Sequence, residues 1–408
     1  MKKRVSFLAM ALCTVLLWGC AAGAQPAETE PPTTEAATQA TTETTAPPTE
    51  APTEAPTEAP TEPPTEPSVT LEAGPAVYVN GIAIGNTGLD GETVYVSAGE
   101  FCAALGGTDE GAAAALDYNG VRYSFTTAFS HMMRDDTALA LLSPILNCQD
   151  APWLPLEELC EMTELSVYRD EEQSTLYCTA SAWPREVAEG YDVPVLMYHA
   201  VDNDMSLGIA ELLVKPELME EQLQYLTENG YDPIFFEDLY NIDQYDKPVI
   251  LTFDDGYEDN YTILFPLLKQ YNVKATVFII SDFVGRNYYL TEEQILEMAD
   301  SGLVSIQSHT VSHPNLDSLN EEKQRVELEQ SKLAIARMTH REPFVLCYPT
   351  GRYDSDTLNV IGDSYHFGIK MNGGLYTTGG SLYEINRYYI SRYTDTDSYI
   401  SRLEDIFE

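Results

Sequence analysis

The second half of the chain alternates short apolar runs with longer amphipathic stretches. Residues 249–253 form a compact apolar run with β-branched members, soon followed by Gly256. That is the pattern of a strand buried on both faces of a parallel sheet. Comparable runs fall at 193–198, 233–236, 275–280, 303–306, 344–348 and 367–370. Between them the period changes. Residues 216–229 place Leu218, Met219, Leu223 and Leu226 on one helical side, and Gly230 stops the helix. Helices are also expected over 263–271, up to Asp300 behind a Thr291/Gln294 capping box, over 321–338 and over 356–361. Strands alternating with helices imply an α/β fold built on a parallel sheet.

The segment 69–182 reads differently. Residues 93–103 echo residues 151–161, each a short strand running into a short amphipathic helix. Asn80-Gly81 after an alternating run predicts a hairpin, and 166–177 predicts another around Arg169-Asp-Glu-Glu. This is a small α+β domain. It is similar to the stalk domain at the N-terminus of some copper amine oxidases, but it has no cluster of metal ligands, His131 being its only histidine. Cys102, Cys148, Cys160 and Cys178 fall within it, which allows three disulfide pairings or four buried thiols.

Charge narrows the function. The 65 acidic residues against 22 basic ones give a net charge of −43, which repels nucleic acid and anionic headgroups alike. Met1-Lys-Lys-Arg4 and the apolar stretch 5–17 form a secretory signal, too short for a stable span. Its end, Leu17-Trp18-Gly19-Cys20, resembles a bacterial lipoprotein signal, although Trp18 is unusual there. By that resemblance 1–20 is the signal and Cys20 is the lipidated residue that tethers the chain to the outer face of the membrane. Without the lipid the chain would be secreted. Residues 21–68 are of low complexity, with Thr-Glu-Ala-Pro recurring almost in register over 49–67, and hold no aromatic or basic residue, so they have nothing to bury and read as an extended, disordered linker.

The chemistry gathers at strand ends. Asp254 and Asp255 follow the run 249–253, and Gly256 turns the chain away. Ligands bind beyond the carboxyl ends of parallel strands, and two adjacent carboxylates there point in different directions. One can hold a metal while the other stays free as a base. His309 and His313, after the run 303–306, are four apart and could share one side of a helical turn. Two histidines and one carboxylate leave coordination positions open, as a hydrolytic metal site requires.

Thr252-Phe-Asp-Asp-Gly256 and Ser308-His-Thr-Val-Ser-His313 resemble the first two motifs of the polysaccharide deacetylases, the NodB-type enzymes of carbohydrate esterase family 4. Residues 193–201 and Cys347-Tyr-Pro-Thr-Gly351 resemble the subgroup that deacetylates exported poly-N-acetylglucosamine. The likeness spans 190–408 and implies an irregular (β/α) barrel with fewer than eight complete units. It implies Asp255, His309 and His313 as ligands of a divalent metal, zinc by default with cobalt or nickel as alternatives. Asp254 then matches the general base, and the backbone N–H at Tyr348 matches an oxyanion donor. The family's C-terminal Leu-x-His is missing here, since no histidine follows His366. His199 takes the position of the subgroup's general acid, with His366 as its competitor, and Arg387 falls where relatives keep the catalytic aspartate ionised. Thr310 is a candidate support for the histidines, and Tyr257, Tyr353 and Tyr376 are candidate sugar-stacking rings.

The implied activity is removal of N-acetyl groups from an N-acetylglucosamine polymer, either exopolysaccharide or peptidoglycan. An acetylxylan-type esterase and a noncatalytic glycan-binding lipoprotein are the alternatives.

Overall fold

The computed structural model describes residues 70–109, 113–126, 131–135, 137–148, 151–203 and 210–407. The signal, Cys20 and the linker lie outside the described residues.

Seven parallel strands close into a barrel. They are β1 (Val195–Tyr198), β2 (Pro248–Phe253), β3 (Ala275–Ile279), β4 (Val304–Ser308), β5 (Val345–Cys347), β6 (Phe367–Gly373) and β7 (Ile385–Tyr389). Each pairs with the next, and β1 pairs with both β2 and β7. The flanking helices include α1 (Pro216–Glu228), α2 (Phe265–Tyr271), α3 (Glu292–Asp300), α4 (Glu321–Thr339) and α5 (Ser355–Val360).

Alternation along the strands sorts the side chains. Leu196, Leu251, Phe253, Val277 and Ile279 pack with Leu223 of α1, Leu268 of α2 and Ile295 of α3, so they face outward. Val195, Ile250, Phe278, Cys347, Ile369 and Ile385 pack with one another inside the barrel. The Thr291/Gln294 capping box is present, with both reciprocal bonds made.

Two expectations are corrected, and one strand was missed. The run 233–236 gives only a two-residue pairing, Asp232–Pro233 beside β2. Proline offers no N–H to a ladder, and the chain goes on into a 3₁₀ turn from Glu237. The helix foreseen over 263–271 starts with a π-type turn, Asn260–Leu264, before α2. Strand β7 closes the barrel but was not foreseen, because Ile385 is its only buried aliphatic side chain.

In the first part, Ala76–Val79 and Ile82–Ile84 form the hairpin at Asn80-Gly81, both turn residues having positive φ. The two echoing segments each give a strand and a helix: Thr93–Ser97 with Ala98–Ala104, and Ala151–Pro155 with Leu156–Thr163. Their strands pair antiparallel. Cys102, Cys160 and Cys178 belong to one core cluster, Cys148 to a smaller one, and no disulfide joins them. This part rests on the barrel through Arg337 of α4. Its guanidinium donates to Asp170 at 2.6 and 2.9 Å and to Glu172 at 2.8 Å.

Candidate active site

The carboxyl end of β2 makes a sharp corner. Asp254 keeps the inward parity of Thr252, whereas Asp255 has a φ of 75° and Gly256 one of 74°. Asp tolerates that left-handed region better than most residues. A Cβ on Gly256 would meet Ile279 Cγ2 at 2.9 Å, so glycine is required both for φ and for space. The corner sends the two carboxylates to different partners.

Asp255 faces the histidines. Its Oδ1 lies 3.5 Å from His309 Nε2 and 3.6 Å from His313 Nε2. Ligands about 2.1 Å from a tetrahedral ion stand roughly 3.4 Å apart, so the three residues fit a divalent metal. His309 Nδ1 is 2.8 Å from the Cys347 carbonyl oxygen. That bond places the proton on Nδ1 and leaves Nε2 with its lone pair toward Asp255. Burial pushes His309 down to about 4, with nearby Asp254 opposing, and burial lowers His313 as well. Both imidazoles are therefore neutral, as ligands must be.

The histidines do not share a helical turn. They lie in an irregular loop in which Thr310 and His313 both have positive φ. Glu327 of α4 holds that loop, accepting from Val311 N and Ser312 N at 2.9 Å and from Ser312 Oγ at 2.6 Å. Thr310 Oγ1 accepts from His313 N at 3.1 Å.

Asp254 faces Arg387. The guanidinium donates to both carboxylate oxygens, at 2.7 and 2.8 Å, and to Thr252 Oγ1 at 3.0 Å. Arg387 is 2 % exposed and Asp254 3 %. Burial alone would raise the Asp254 carboxyl. The Arg387 charge and hydrogen bonds, helped by His199 and His309, bring it well below the usual carboxylate range. Cys347 lies beside this pair, its Sγ 3.2 Å from Arg387 Nη2.

His199 completes the group, with Nε2 3.9 Å from Asp254 Oδ2. Its Nδ1 is buried without a partner among the described residues. Asn260 Nδ2 donates to the His199 carbonyl at 3.0 Å and to Asp259 Oδ1 at 2.9 Å. Asp259 Oδ1 also accepts from Val201 N at 2.7 Å, so the two residues fix the chain from the His199 carbonyl to Val201.

His366 is not at this end of the barrel. It precedes β6, and its Nδ1 is 3.3 Å from the Tyr240 hydroxyl.

The Tyr348 assignment is also corrected. Its N–H donates to the Ile369 carbonyl at 3.0 Å within the barrel ladder, and its hydroxyl donates to the Tyr383 carbonyl at 2.8 Å. The backbone that turns at the cavity wall is that of Thr350, with a φ of 56°. A cavity of about 190 Å³ is lined by His199, Asp254, Asp255, His309, His313 and Thr350, among others.

Of the proposed stacking rings, Tyr376 is a core residue. Tyr353 stacks on Tyr348 at 4.6 Å between centroids, and Tyr257 stacks on Tyr289 at 5.3 Å. Glu327, Asp259, Asn260 and Thr350 were not foreseen. The polar run Glu258-Asp-Asn260 right after the Asp-Asp-Gly corner was the available signal for two of them.

Comparison with known proteins agrees with this geometry. The family model for polysaccharide deacetylases matches residues 241–364. The Bacillus subtilis protein YxkH, whose name places it with the polysaccharide deacetylases, is 34% identical over 217 residues, covering 52% of this chain and 75% of YxkH. The poly-β-1,6-N-acetyl-D-glucosamine N-deacetylase of Escherichia coli K12 is 33% identical over 117 residues, which are 24% of this chain and 17% of the enzyme. The Streptococcus pyogenes deacetylase PplD, solved with acetate, superposes with a TM-score of 0.50 at 30% identity, over 52% of this chain and 99% of PplD. BC0361, a polysaccharide deacetylase from Bacillus cereus, gives 0.51 at 28% identity, over 62% of this chain and 82% of its own.

Proposed function

The chain belongs to the polysaccharide deacetylase family, and from that premise we propose that it hydrolyses N-acetyl groups of an N-acetylglucosamine polymer. One observation carries the reading. A metal-fitting Asp255–His309–His313 set and an arginine-held Asp254 open on the same cavity as His199. The name of the Escherichia coli relative favours a poly-β-1,6-linked substrate.

Two nitrogens and one oxygen suit zinc, with cobalt or nickel compatible with the same donors. When bound, such an ion would polarise the acetyl carbonyl and make water a stronger nucleophile near neutral pH. Asp254 stays ionised because Arg387 holds it, so its carboxylate is available to take the proton of the attacking water. His199, within 3.9 Å of Asp254, is placed to give a proton to the leaving amine as the carbon–nitrogen bond breaks. The backbone N–H of Thr350 is the candidate donor to the developing oxyanion. The products are acetate and a free glucosamine amine.

We place this activity outside the cytoplasm, at the membrane surface, on the strength of the signal-like start and Cys20.

The test is acetate release from β-1,6- and β-1,4-linked N-acetylglucosamine oligomers, peptidoglycan and acetylxylan. Turnover should vanish with chelator and return with metal. Equal turnover by the chelated protein would end the metal reading, and acetylxylan as the sole substrate would replace the amide reading with an ester one.

A further inference from the structure

A second cavity, of about 420 Å³, lies at the other end of the barrel. Residues 304–307 of β4 and the segment before β5 form one wall, and Asn80, Tyr118 and Asn119 of the first part form another. The active site opens where β4 ends, and no residue lines both cavities.

Its charged groups are mostly satisfied. Asp238 accepts from Lys274 at 3.0 Å, Arg341 donates to Asp300 at 2.9 Å, and Glu342 pairs with Lys332 at 2.6 Å. Two atoms are exceptions. Glu237 Oε2 is a buried acceptor and Arg185 Nε a buried donor, and neither atom has a partner among the described residues, while Arg185 Nη2 pairs with Glu164 at 3.1 Å. Leaving such groups unsatisfied destabilises the fold. Phe235, Tyr118 and Tyr240 supply aromatic surface in the same cavity. Burial, with Asp238 nearby, pushes the Glu237 carboxyl up to about 7. A cation arriving beside it would relieve that penalty.

We propose that this cavity is a noncatalytic site for a glucosamine unit of the glycan, with the amine on Glu237 and a ring hydroxyl accepting from Arg185. A carboxylate and a guanidinium on one cavity offer an acceptor for the amine and a donor for a hydroxyl of an amino sugar, and rings commonly cover the apolar face of a pyranose. The size suits one or two sugar units. The inference rests on the glycan reading of the family: the free amine is the product of that reaction, so the site would retain deacetylated polymer while the far end works on another stretch.

The experiment is calorimetric titration of the full chain with a β-1,6-linked glucosamine tetramer and with its N-acetylated counterpart. The Asp255→Ala variant silences the catalytic end. The amine tetramer should bind Asp255→Ala as it binds the unaltered protein, and bind better than the acetylated one. Glu237→Gln and Arg185→Ala should each weaken it about tenfold, the cost of a lost hydrogen bond to a charged group. Acetate release from a short soluble substrate by Glu237→Gln should be unchanged. Binding lost in Asp255→Ala, or indifferent to both Glu237→Gln and Arg185→Ala, overturns the proposal. A protein that binds the amine tetramer but releases no acetate would keep this site and refute the catalytic reading; the reverse result would refute this site alone.

Discussion

Arg387 grips both oxygens of Asp254, at 2.7 and 2.8 Å, inside the barrel and almost out of contact with solvent. Breaking a buried pair from one side leaves a charge with no partner, at roughly 3–5 kcal/mol. Arg387→Met should therefore lower stability by about that amount and depress turnover with it. Asp254→Asn is milder for the fold, because the amide still offers an oxygen to Arg387. It removes the proton acceptor, so turnover should fall by about 10²–10⁴. Thermal melts beside acetate-release rates separate the two effects. Full turnover in Asp254→Asn would remove that residue from the role of base.

The metal set gives a graded prediction. His313→Ala should abolish bound metal, measured by elemental analysis, with little change in melting temperature, because its side chain is 27% exposed. Glu327 touches no ligand atom but fixes the loop between the two histidines. Glu327→Ala should weaken metal binding about 10–100-fold, the usual range for groups that orient ligands. Unchanged affinity would show that the loop holds its shape unaided.

These residues differ in how far the sequence revealed them. The apolar runs and their helical spacers predicted the parallel α/β fold, since burial on both faces demands continuous hydrophobic strands. The Asp-Asp-Gly corner was legible because Gly256 marks the turn. Strand β7 was not, because its inward position after Ile385 is Arg387, and a buried charge interrupts the hydrophobic signal that marks a core strand. The family likeness suggested the Arg387 pairing, while spacing alone could not. The histidine pair was expected on a helix because four-residue spacing suits one. The loop achieves the same convergence through positive φ at Thr310 and His313, a backbone feature that side-chain pattern does not report. Tyr348 misled because the motif names a residue, whereas ladder bonding decides which N–H is available.

The two candidate acids are now separable. His199 lies in the cavity beside Asp254, and His366 meets Tyr240 at the barrel's opposite end. His199→Gln should reduce turnover about 10²-fold or more with little change in KM. His366→Gln should leave turnover intact. A reversal of these outcomes would reassign the acid.

Arg337 and Asp170 tie the first part to the barrel, and that tie should depend on pH. Asp170 is buried, and its hydrogen bonds from Arg337 lower its carboxyl below the ordinary value, against the opposing effect of burial. A depressed folded value adds stability above the unfolded carboxylate's value of about 3.9, and that stability disappears as pH falls through the folded value. Arg337→Ala removes the largest cause of the depression, leaving the bonds from Glu172 N and Gln173 N. The melting temperature of the variant should lie below that of the unaltered protein by a constant margin above about pH 4, equivalent to roughly 1–3 kcal/mol. The margin should close as the pH drops further, because protonated Asp170 no longer needs the arginine. A margin that stays the same down to pH 2 would mean that Arg337 acts through packing rather than through its charge.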